Sequence, residues 1–159
     1  MRQTRQGVFE TNSSSTHSIS FMRRDRSLEP NHIGIDDDGY MHVEFGDFGW
    51  EICTYTDQYS KLSYLLTMAL ELNGNDVYWG NNIDEEIEKF METEDFKLIN
   101  DEIAQYADCK GIIIDHSDGY VDHQSVYGGT IRGFLDENCT DILDFVYGNV
   151  VVHTDNDNH

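Results

Sequence analysis

Gly111-Ile112-Ile113-Ile114-Asp115-His116-Ser117-Asp118-Gly119-Tyr120-Val121-Asp122-His123-Gln124-Ser125 is the stretch on which the fold turns. Three consecutive β-branched isoleucines behind a glycine read as a buried strand. Asp118-Gly119 supplies turn chemistry, so Tyr120 to Ser125 reads as a second strand folded back on the first. Register then decides the chemistry, because a one-residue slip moves every side chain to the other face. With a two-residue loop Asp115 lies opposite Asp122, a repulsive pairing that favours a cation or a shared proton between them. With a three-residue loop Asp115 shares a face with Val121 and His123, and a carboxylate can orient an imidazole.

Upstream of this segment the periodicity is helical. Leu62, Leu65, Leu66, Ala69 and Leu72 fall on one helical face, and Gly74 is a stop. Asp84 reads as the cap of a second helical region reaching Ala107, broken near Thr93. Its apolar stripe is Ile87, Phe90, Met91, Ile99, Ile103 and Tyr106, and its outer face carries Glu85, Glu88, Glu92 and Asp95. Short helices are expected over 130–136 and 142–147. Strands are expected at Val8-Phe9, Ile19 to Met22, Tyr40 to Phe45, Trp50 to Tyr55 and Val150 to His153, with turns at Asp36-Asp37-Asp38-Gly39 and Gly46-Asp47-Phe48-Gly49. The sum is one α+β domain over 1–159, a mixed and mostly antiparallel sheet covered by two or three helices. Residues 154–159 read most simply as a flexible acidic tail.

The chain has 159 residues, 38% of them hydrophobic, which is enough for one core. Its three cysteines, Cys53, Cys109 and Cys139, are odd in number and far apart, so neither a zinc ribbon nor a disulfide framework is expected. No apolar run is long enough to span a membrane, and the Arg-containing start lacks a signal peptide's apolar region. The expected setting is the cytoplasm.

Charge is unevenly spread. The net charge is −21, yet residues 1–26 hold Arg2, Arg5, Arg23, Arg24 and Arg26 against only Glu10 and Asp25. Such asymmetry bears on partners more than on fold. Within the basic segment lies Phe9-Glu10-Thr11-Asn12-Ser13-Ser14-Ser15-Thr16-His17-Ser18, a run of hydroxyl and amide side chains with a single carboxylate. An anion meets little repulsion there. Arg5, Asn12, Ser13, Ser14 and Ser15 are candidate phosphate-holding residues, joined by Gln124 and Ser125. Neither a Gly-rich phosphate loop nor its strand-to-helix context is present, and the plainer reading of the run is a hydrogen-bonded turn. His17, His123 and Asp122 are the candidate catalytic residues for proton movement. Asp122, Asp155 and Asp157 are candidate ligands for Mg²⁺ or another divalent cation.

Three of these segments, Phe9 to Ser18 with Arg5 and Gly7, Gly119 to Ser125, and Thr154-Asp155-Asn156-Asp157-Asn158, together resemble an uncharacterised protein family of bacteriophages and bacterial mobile elements. The resemblance covers about a sixth of the chain. It implies a phage-like context, with host cytoplasm as the setting, and convergence of the three segments in space. It implies no activity.

Two functional expectations follow. One is an enzyme acting on a phosphate-containing substrate, a nucleotide or nucleic acid, as a metal-assisted phosphoester hydrolase or transferase. The other is an acidic, non-catalytic inhibitor or DNA mimic that occupies a basic groove of a host protein. In the second, Glu85, Glu88, Glu92 and Asp95 would stand about 5–6 Å apart along a helix, near the spacing of strand phosphates.

Overall fold

The computed structural model describes residues 3–6, 15–21, 27–49, 52–74, 82–121 and 129–156. Among these residues eight strands and five helices are formed, in the order β1 (Gln3–Gln6), β2 (Ser15–Phe21), β3 (Tyr40–Val43), β4 (Asp47–Phe48), β5 (Cys53–Tyr55), α1 (Gln58–Leu72), α2 (Ile83–Met91), α3 (Glu94–Ala107), β6 (Gly111–Ile114), β7 (Tyr120–Val121), α4 (Ile131–Glu137), α5 (Ile142–Tyr147) and β8 (Val150–Asn156). The fold is mixed α+β. Its strands form three small sheets: an antiparallel one of order β1-β2-β8-β5, and two parallel pairs, β3-β6 and β4-β7.

The parallel pairs overturn the expected hairpin. Gly111–Ile114 does not fold back on Tyr120; it lies beside Tyr40–Val43, and Tyr120–Val121 lies beside Asp47–Phe48. The Gly46–Gly49 segment, read as a turn, therefore contributes a strand. Two stretches of chain run side by side in the same direction, and the second makes a detour at Asp115–Gly119. Gly119 permits this, because a Cβ there would lie 2.4 Å from the Phe45 Cβ and 3.0 Å from the Gly46 N. Parallel strands need a long crossover, and α1, α2 and α3 provide it. An Asp-Gly dipeptide marks a bend in the chain, and here the bend does not reverse it.

The helices begin where capping chemistry allows. Asp57, Asn82, Thr93, Thr130 and Asp141 each accept a hydrogen bond from a first-turn amide. The α2 cap is thus Asn82 rather than Asp84, which lies inside the first turn. Thr93 caps α3 and makes the break anticipated there. Asp36-Asp37-Asp38-Gly39 forms the expected reversal, closed by Gly39 N–H to Asp36 O at 3.0 Å with Gly39 at φ +93°.

α1 runs through the centre, with every residue from Lys61 to Leu70 buried. Tyr64 packs against Phe48 and Phe145, at ring separations of 5.1 and 6.1 Å, which ties β4, α1 and α5 into one core. Lys61, only 2% exposed, donates its ammonium to Gly148 O at 2.9 Å at the α5–β8 junction. The second conspicuous buried charge is Asp95, whose Oδ2 accepts from the Asn73 amide at 2.8 Å and from Ile131 N–H at 3.1 Å. No helix among the described residues is long and apolar enough to cross a membrane.

Candidate functional site

Ser15 to Ser18 of the opening polar block are strand. Ser15–Phe21 pairs in antiparallel fashion with Val150–Asn156 over seven consecutive positions, from Ser15 opposite Asn156 to Phe21 opposite Val150. The alternation of Ile19 and Phe21 with Ser18 and Ser20 sets this register, since Val150 and Val152 opposite them are buried. The last strand accordingly continues past His153. Thr154, Asp155 and Asn156, expected as the start of a free tail, are paired, and Thr154 is fully buried. The opening block and the closing segment are neighbours in the sheet.

Pairing sorts the residues into rows, and successive rows belong to opposite faces of a pleated sheet. Arg5, Ile19, Val152 and Tyr55 form one row, and His17, Thr154 and Cys53 another; both lie on the side of the buried Val152 and Thr154. The row Gln6, Ser18, His153 and Thr54 crosses all four strands on the other side. Flanking it on that same side are Thr4, Ser20 and Val151, and then Thr16 and Asp155. His17 and Asp155 thus occupy adjacent rows on opposite faces. The imidazole that shares a face with Asp155 is that of His153, two residues earlier and about 7 Å along the strand.

Sequence reasoning placed His153 in a strand and assigned it no role. Its Nδ1 lies 2.9 Å from Thr54 Oγ1, its cross-strand partner, and the side chain is half-buried. A hydroxyl at one ring nitrogen fixes the ring plane and leaves Nε2 for another partner, the usual way an imidazole is prepared for a ligand. A His-x-Asp alternation on a strand was the signal available in the sequence.

Other site residues fall elsewhere. Arg5 lies on the edge strand β1 and Ser15 at the end of β2. Asn12, Ser13, Ser14, Asp122, His123, Gln124, Ser125 and Asp157 lie outside the described residues. Asp122 follows directly on Val121, however. Val121 pairs with Phe48, whose ring packs edge-on against Tyr55 at 5.2 Å, and Tyr55 pairs with Val152. β7 therefore ends near the β5 side of the sheet.

Asp115 does orient an imidazole, but that of His42, brought alongside by the parallel pairing. His42 Nδ1 lies 2.8 Å from Asp115 Oδ1 and its Nε2 lies 2.7 Å from Asp36 Oδ2. Hydrogen bonds donated by the ring to the Asp115 and Asp36 carboxylates raise the His42 pKa above the ordinary histidine value. The Tyr40 N–H, donating to Asp36 Oδ1 at 2.8 Å, lowers Asp36, with His42 reinforcing it. His116 Nδ1 turns the other way, to Asp84 Oδ1 at 2.7 Å. Asp47 is raised by burial and by the nearby Asp118. Among the described residues, no group of three or more His, Cys, Asp or Glu is arranged to hold a metal ion.

The acidic stripe is interrupted. Glu85 and Glu88 are exposed on α2 and Glu92 is exposed at its C-cap, whereas Asp95 belongs to α3 and is buried in structural hydrogen bonds. Lys89 also stands within the stripe, 3.0 Å from Glu85 and 2.9 Å from Glu86. A row of bare carboxylates at phosphate spacing is not what α2 presents.

No family model, no curated protein and no solved structure matches this chain.

Proposed function

We propose that the protein binds a phosphate-bearing ligand, a nucleotide or a nucleic-acid segment, with a divalent cation at the sheet end shared by β2 and β8, and acts on it as a phosphoester hydrolase or transferase. The observation that carries this reading is the Thr54–His153 hydrogen bond, two residues before Asp155 on the same sheet face. His153 Nε2 and the Asp155 carboxylate supply mixed nitrogen and oxygen donors for a cation, with Asp157 two positions further on in the sequence and Asp122 next after Val121 as the further candidate ligands. The hydroxyl and amide residues Asn12 to Ser15, with Gln124, Ser125 and Arg5, supply phosphate contacts in an otherwise strongly acidic protein. His17 and His123 are the proton carriers of this scheme. The phage-like context fits a nucleic-acid ligand.

Calorimetric titration of the full chain with Mn²⁺ and Mg²⁺, followed by nucleotides and single-stranded oligonucleotides, tests it. Cation binding is expected, weakened by about ten- to a hundredfold in Thr54→Val, which frees the ring orientation but keeps the ligand. Binding should be lost in Asp155→Asn. Wild-type protein that takes up neither cation, nor any nucleotide in its presence, refutes the reading.

A further inference from the structure

The His42 contacts carry a consequence independent of the proposed ligand site. An ionised carboxylate only accepts hydrogen bonds, and a neutral imidazole has a single N–H. His42 nevertheless has a carboxylate oxygen within hydrogen-bond distance of each ring nitrogen, Asp36 at 2.7 Å and Asp115 at 2.8 Å. Both contacts are satisfied only while the ring carries two protons. Once one proton leaves, a ring lone pair faces an anionic oxygen and that contact must open.

We propose that His42 is a proton-operated latch that, when doubly protonated, fastens the Asp36–Gly39 turn to the Asp115–Gly119 detour and, on losing one proton, releases one of them. The two segments belong to separate parts of the chain: the turn precedes β3, at the amino ends of β3 and β6, the detour follows β6 at their carboxyl ends, and His42 within β3 reaches both. The detour is otherwise held at its two ends by Asp115 N–H donating to Val43 O and Tyr120 N–H to Gly46 O, both at 3.0 Å, and between them by Phe45 N–H donating to Ser117 Oγ at 2.9 Å and by His116 on Asp84 of α2. The turn is held by the backbone bonds of Asp36 and Gly39 and by Lys110 N–H donating to Gly39 O at 2.8 Å. The charged groups of these elements are Asp36, Asp37 and Asp38 of the turn, Lys110 before β6, and Asp115, His116 and Asp118 beyond it, with Asp84 on α2. They are mostly acidic and favour the protonated ring, whereas Lys110, with its ammonium 5.7 Å from the Tyr40 ring centre, opposes it.

The sign is fixed by the two shifts. With His42 raised and Asp36 lowered, the latch is closed between them. It opens as pH rises through the His42 value, and again as pH falls through that of Asp36. Both partners are partly exposed, so high salt weakens it.

Ring-nitrogen NMR of His42 across pH, with amide exchange protection for residues 36–40 and 115–119, reads both halves of the proposal. Both ring nitrogens should be protonated at pH 6.5, and protection in one of the segments should fall as the ring titrates. In His42→Gln, whose amide has no titrating proton, that fall should vanish while protection in α1 is unchanged. A ring that titrates at or below 6.5, or a pH profile of protection identical in wild type and His42→Gln, overturns the latch. Neither result depends on whether the protein binds a cation or a nucleotide.

Discussion

The Asp95 carboxylate accepts the backbone N–H of Ile131 across 3.1 Å, and with the same oxygen the Asn73 amide at 2.8 Å. One side chain near the start of α3 thereby pins the end of α1 and the start of α4.

Removing that carboxylate strands a buried backbone donor. Asp95→Ala should cost about 1–3 kcal/mol, read as a lower urea midpoint at unchanged m-value. Asp95→Asn keeps an acceptor oxygen and should lose less. Equal losses in the two variants would show that the hydrogen bonds are not what Asp95 contributes.

Lys61 makes stability depend on pH above neutrality. Burial lowers its pKa to about 8, with Asp57 and Asp144 pulling the other way. Its folded value is below the unfolded one, so the unfolded chain binds more protons between about 8 and 10.4, and stability rises with pH over that interval. Urea unfolding at pH 7 and at about 9.5 should show the rise in wild type and its absence in Lys61→Met. A flat wild-type profile would mean that the ammonium is not desolvated in solution.

Gly119 is required for space. Gly119→Ala pushes a methyl into Phe45 and the Gly46 backbone, which can yield only by separating the parallel segments. A loss of at least about 1–3 kcal/mol is expected in thermal unfolding. Gly34→Ala is the control, because a Cβ there meets nothing within 4 Å, and it should be near neutral.

Much of this fold is legible in the sequence. The apolar face of α1, the break at Thr93 and the two late helices follow from local periodicity and capping, which depend on neighbours in the chain. Strand partnership does not. Gly111–Ile114 carries no mark that says whether Tyr120 or Tyr40 will lie beside it, and the Asp118-Gly119 signal favours the wrong one. The same gap hid the histidine contacts. His153 finds its partner in Thr54 and His42 one of its two in Asp115, each far away in sequence. Ser15 to Ser18 suit a turn by composition. Their strand conformation comes from the alternation of Ile19 and Phe21 and from the partner strand.

β8 lies between β2 and β5 in the four-stranded sheet; β2 has β1 as its other neighbour, whereas β5 pairs among the described residues with β8 alone. Since β2 is synthesised early and β8 late, the polar opening block must leave the ribosome with its eventual partner still untranslated. Such distant pairing folds slowly. A segment rich in serine, threonine and arginine tolerates that wait, because a strand edge of this composition stays hydrated where an apolar one would aggregate. The composition proposed above to receive an anion thus also keeps the block hydrated until β8 has been made.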